Sequence, residues 1–89
     1  MRIQCKTNID CARLLEWPTE LPARPMVGDL IRSRSSTHDK AFELGVVETT
    51  WYYCVHRHEW ILQVELNLAG TCYPNVPVFE AHVKGRFHG

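Results

Sequence analysis

The chain has 89 residues, and its ten lysines and arginines balance ten aspartates and glutamates, leaving no formal net charge. That length supports one small domain with a single core and leaves no room for a deep catalytic cleft besides, so an enzyme is not expected. The zero balance argues against a non-specific nucleic-acid binder, which needs surplus cations for phosphate.

Residues 1–8 alternate Ile3, Cys5 and Thr7 with Arg2, Gln4 and Lys6. This pattern predicts a first strand, charged on its solvent side as suits a sheet edge. Residues 9–17 are ambiguous. They read as a second strand paired with the first, because the surroundings are β. The alternative is a short helix capped by Asp10 and stopped by Pro18.

Residues 18–25 hold three prolines, which exclude a regular ladder position and favour an extended path over the surface. Met26-Val27-Gly28-Asp29 is a turn, and Leu30-Ile31-Arg32-Ser33 starts the next strand. Residues 34–40 are polar throughout and predict a solvated, mobile loop.

Residues 41–55 form a long β-type run. Phe42, Leu44 and Val46 lie on one parity; Val47, Trp51, Tyr53 and Val55 lie on the other. A bulge between Gly45 and Thr50 accounts for the change. A hairpin tip follows at His56-Arg57-His58-Glu59. In residues 60–68, Trp60, Leu62, Val64, Leu66 and Leu68 alternate with Ile61, Gln63, Glu65 and Asn67, which marks the central strand.

Residues 69–77 read as a loop by their Gly, Asn and Pro content. After it, Phe79, Ala81 and Val83 alternate with Glu80, His82 and Lys84, which suggests a last short strand. The domain is placed at residues 1–84, with residues 85–89 a frayed basic tail. Together these elements predict an all-β fold: a small five- to six-stranded antiparallel sheet or partly closed barrel, with at most one short helix.

The segment Leu21-Pro22, Pro25, Gly28-Asp29 and Ile31, followed by the hairpin from Phe42 to Leu68, resembles a pattern in short uncharacterised bacterial and phage-borne proteins. Those proteins carry a Leu-Pro-x-x-Pro-x-x-Gly-Asp-x-Ile element before a long hairpin and are similar to small barrels of the Src-homology type. The resemblance covers about two thirds of the chain. It implies a fold and brings no activity with it; residues after Gly70 are not part of the pattern.

The cysteines are Cys5, Cys11, Cys54 and Cys72. An even number invites disulfides, but the chain opens at Met1 without a charged-then-apolar leader, so reduced thiols in a cytoplasmic setting are expected. No apolar run approaches the roughly 18 residues of a membrane span, so no membrane partner is expected.

Three groups of residues are candidates for function. On a continuous strand Cys54, His56 and His58 would share one face, and with Cys72 or His82 they make a possible zinc set. The set lacks the usual Cys-x-x-Cys spacing, and the histidines sit where the turn belongs. The favoured reading is a semi-buried cysteine beside two loop histidines, with no cofactor. Cys-His catalysis needs an oriented third group and an oxyanion site, and no residue pattern supplies them.

The aromatics Trp51, Tyr52, Tyr53 and Trp60 gather on the two arms of one hairpin. A core this small needs most of its aromatics, and any left outside it form a stacking platform. Arg32, Arg34 and Arg57 are the cations assigned to that surface, although a run such as Arg32-Ser33-Arg34-Ser35-Ser36 is more often a solvated loop. The expected role is a binding module, monomeric or weakly dimeric. Trp51, Tyr52, Trp60, Arg32, Arg34 and Arg57 would contact another protein or, alternatively, single-stranded nucleic acid.

Overall fold

The alternating stretch around Leu62, Val64 and Leu66 becomes strand β4 (Glu59–Asn67), which is hydrogen-bonded on both sides. The computed structural model describes residues 1–34 and 42–88. Among them, β1 (Ile3–Thr7), β2 (Leu30–Arg32), β3 (Glu43–Cys54) and β4 make one four-stranded sheet in the order β1-β4-β3-β2. The sheet curls into a half-barrel.

Two expectations are corrected here. The described residues hold four strands, not five or six. The sheet is also mixed: β3 is antiparallel to β2 and β4, but β1 runs parallel to β4. A parallel pair needs a long crossover, and the β2–β3 excursion between β1 and β4 supplies it.

The bulge falls where the parity change put it. Register shifts between Val46 and Glu48, and the later side chains of β3 change parity. The Gly28 turn also forms: the Asp29 N–H donates to the Met26 carbonyl at 3.0 Å, and Gly28 has φ +101°. That left-handed value is one glycine adopts without strain.

The start of the proline-rich crossing and the residues just before it reach both edge strands. The Ile3 N–H of β1 donates to the Thr19 carbonyl at 2.9 Å. The Arg34 N–H, just past β2, donates to the Glu16 carbonyl at 2.7 Å. Residues 16–19 thus tie one end of the β1 edge to the chain just past β2.

The segment before the crossing is a 3-10 helix (Asp10–Leu14), which replaces the strand expected over residues 9–17. Asp10 does not cap it; Ile9 is the residue before the first turn, and its side chain makes no capping bond. Burial of Ile9, Cys11 and Ala12, with the Trp17 indole N–H donating to the Ala12 carbonyl at 2.8 Å, holds this short turn against the core. Tertiary contact stabilises what propensity alone would not.

The last expected strand is a helix, α1 (Val76–His88). Asn75 caps it: its Oδ1 accepts the Val78 N–H at 3.0 Å. Pro77 sits in the first turn, where a missing N–H does no harm. The helix takes in residues 85–88, which the sequence reading set apart as a tail. Phe79 and Val83, one turn apart, are buried together with Leu44, Val46, Leu62, Val64 and Leu66 of the inner sheet face. Phe42 and Tyr73 meet Phe79 edge to face, with ring centroids 5.8 and 4.9 Å away. The polar loop expected over residues 34–40 lies, beyond Arg34, outside the described residues.

Candidate functional site

The β3–β4 ladder decides where the aromatics point. Paired residues across an antiparallel ladder share a face. Trp51 pairs with Leu62, and Tyr53 with Trp60, so Trp51, Tyr53 and Trp60 lie on the inner face with the core. Tyr52 pairs with Ile61 on the outer face. Alternation therefore splits the expected surface in two.

The inner-face aromatics project past the end of the core. Trp51 is 43% exposed, Tyr53 44% and Trp60 63%, although Leu62 between them is fully buried. The expectation that a core of this size would absorb most of the aromatics fails for these side chains. Helix α1 supplies the cover at the other end of the ladder through Phe79 and Val83. The rings of Tyr53 and Trp60 pack at 5.4 Å between centroids with a 60° tilt, so part of the ledge is preformed. Of the three tryptophans, Trp17 is packed against the core.

The expected cations are elsewhere and engaged. Arg32 lies on β2 and pairs with Glu43 at 2.7 Å. Arg34 pairs with Glu16 at 3.1 Å. Arg57, in the turn, approaches Glu59 at 4.0 Å, and Glu59 is itself held by Arg2 at 2.9 Å. A cation that does reach the inner face is Arg24, whose guanidinium donates to Thr49 Oγ1 at 3.4 Å. Thr49 is two residues before Trp51 on the same face. Sequence reading did not select Arg24, because only the fold brings the proline-rich crossing over Thr49. Tyr53 was legible as a ledge member through its shared parity with Trp51.

On the outer face, Tyr52 donates its hydroxyl to Gln4 Oε1 at 2.9 Å. Tyr52, Cys54, Arg57, Arg2, Gln4 and Ile61 border a shallow cavity of about 460 Å³. Ile61 is buried there, although its parity had suggested a solvent position.

The zinc set does not assemble. The turn between β3 and β4 carries His56 and His58, which removes them from the strand face of Cys54. Cys72 is exposed in the loop beyond the far end of β4. Among the described residues no three His, Cys, Asp or Glu side chains converge on one point. The four cysteines are free thiols. Burial pushes the Cys5 thiol up to about 11, and burial, followed by the nearby Glu80 charge, raises that of Cys11. Both are thus kept in the unreactive thiol form.

No helix among the described residues is long and apolar enough to cross a membrane. A scan of protein-family models finds no match to this chain, and searches of curated proteins and of solved structures find none either.

Proposed function

We propose that the protein is a small interaction module that binds a segment of another protein on the inner-face ledge of Trp51, Tyr53 and Trp60. The exposure of these aromatics beside a fully buried Leu62 is the observation that carries the proposal. Large apolar surface left open in a domain that needs core residues marks a contact site. Rigid aromatic rings also give contact area at little entropic cost. No catalytic residue is assigned, and the role is binding rather than turnover.

A protein segment suits the ledge better than a nucleic-acid strand. Arg32, Arg34 and Arg57 are all matched to carboxylates, and the chain has no net charge. A single-stranded nucleic acid would find three rings to stack on but, apart from Arg24, little to hold its phosphates. An extended proline-rich segment needs aromatic walls and few charges. The curled sheet is read as kin to the Src-homology type that the Leu21-to-Ile31 element resembles.

The test is a titration of the labelled protein with a ten-residue polyproline peptide and, separately, with a ten-residue oligothymidylate, at low and at high salt. Shifts of the Trp51 and Trp60 indole signals with the peptide, insensitive to salt, are expected. Shifts with the oligonucleotide alone, fading steeply with salt, would replace this reading with nucleic-acid binding.

A further inference from the structure

The outer edge of β1 has a gap in its hydrogen bonding. Along a parallel strand, alternate residues direct both backbone groups to alternate sides. The Arg2 carbonyl accepts the Leu62 N–H at 3.4 Å, so Arg2, Gln4 and Lys6 face β4. Ile3, Cys5 and Thr7 therefore face outward. At one end the Ile3 N–H is taken by the Thr19 carbonyl at 2.9 Å. At the other end the Thr7 carbonyl accepts from Arg13 Nε at 3.0 Å. Between these two ties lie the Cys5 N–H and C=O, the Ile3 C=O and the Thr7 N–H. Each edge residue repeats at about 6.6 Å, the spacing a partner strand needs.

A groove runs along this gap. It has a volume of about 480 Å³, with β1 as one wall and Arg13, Leu15, Trp17, Pro18 and Thr19 on the other side. The Cys5 thiol donates to the Pro18 carbonyl at 3.5 Å and joins the two walls. The lining includes Lys6 and Arg13 and no carboxylate. Asp10 stands 3.8 Å from Arg13 and is almost wholly exposed, and Glu65, the cross-strand partner of Lys6 on β4, lies outside the lining. Main-chain bonding groups, an apolar wall and two cations at the Thr7 end thus converge on one slot.

We propose that this slot accepts an extended segment of a partner protein, which adds as a strand to the outer edge of β1 and places an acidic side chain against Lys6 and Arg13. Main-chain bonds at Cys5 hold the segment, and the two cations choose it by charge. The site is separate from the aromatic ledge, which lies at the tip of the β3–β4 hairpin, and does not depend on it.

The probe is a six-residue peptide of alternating valine and threonine, capped at both ends, with one glutamate in the fifth place. A twin carries glutamine instead. In the free protein the Cys5 amide should exchange with solvent at least tenfold faster than the Gln4 and Lys6 amides on either side. The glutamate peptide should slow Cys5 exchange by tenfold or more, and the glutamine twin should bind several-fold more weakly. Arg13→Gln, and separately Lys6→Gln, should shrink that preference. Trp60→Ala should leave it intact, so failure of the ledge would not count against this site. A Cys5 amide already as protected as its neighbours would overturn the proposal. So would equal binding of the two peptides, or no protection by either. Protection that grows with protein concentration alone would assign the edge to a second copy of the chain instead.

Discussion

At the base of the β3–β4 ladder Leu44, Val46, Val64 and Leu66 are sealed from water, whereas at its tip Trp51, Tyr53 and Trp60 stand in solvent on the same inner face. Both ends pair antiparallel, and both present large apolar side chains to the inner face, on either side of the bulge after Val46. What differs is the cover. At the base, Phe79 and Val83 of α1 and Cys11 and Ala12 of the 3-10 helix close over the sheet. The tip extends past that cover. Alternation along a strand thus reports which face a residue occupies, and a second layer decides whether that face is buried.

The largest effect should come from removing the cover. Phe79→Ala deletes a fully buried ring that meets Phe42 and Tyr73. Its expected cost is about 3–5 kcal/mol in urea unfolding, the range for large-to-small changes in a packed core. Trp60→Ala, at the tip, should cost less than about 1 kcal/mol because most of its surface is already wet. Similar losses for the two would mean that the tip is part of the core after all. Gly45→Ala ranks next. A Cβ there would overlap the carbonyl oxygen of Ala69, and backbone cannot swing aside as a side chain can. A loss of about 3 kcal/mol is expected, at the upper end of ordinary overpacking. An alanine tolerated at Gly45 would show that the loop after β4 yields freely.

The comparison also shows how much of the fold could be read from the chain. Strand β4, the Gly28 turn, the bulge after Val46 and the hairpin were legible, because each has a local signature of alternation, conformational freedom or broken parity. Helix α1 was misread for a reason that lies in the numbers. Phe79 and Val83 are four residues apart, and four is both an even step, as on one face of a strand, and about one turn of a helix. Ala81 made the pattern look β, yet it is exposed and decides nothing. The signal that separates the readings was the start: Asn75 as cap and Pro77 in the first turn. The parallel pairing of β1 and the placement of Arg24 over Thr49 have no local signature, since both depend on how distant segments meet. The proposed surface was legible as a cluster of aromatics, and alternation set Tyr52 opposite Trp51 and Tyr53, but which of the two faces turns inward was not legible. One bulge residue settles which parity faces in, and sequence bracketed its position only to a few residues.

A smaller effect tests whether the ledge is preformed. Tyr53 and Trp60 form a cross-strand ring pair with little else over them. A double-mutant cycle with Tyr53→Ala and Trp60→Ala should give a coupling of about 0.5–1 kcal/mol, the lower part of the range for aromatic pairs. A coupling near zero would mean that the rings move independently in solution, and the ledge would then have to be ordered by its partner.

The smallest effect bears on how firmly the tip is held. His58 has φ 50°, the left-handed region, in the turn between Cys54 and Glu59. A residue with a Cβ is strained there by roughly 1–2 kcal/mol, part of which glycine gives back through its greater freedom when unfolded. His58→Gly should therefore stabilise the turn by about 0.5 kcal/mol. Where that gain appears is the informative point. If the tip opens on its own, amide exchange should slow at Tyr53 and Trp60 and stay unchanged at Val46 and Leu66, because local openings draw only on local stability. If exchange slows equally along the whole ladder, the tip and base open as one unit. The exposed aromatics would then be held as rigidly as the core beneath α1, a surface ready to bind without first being ordered.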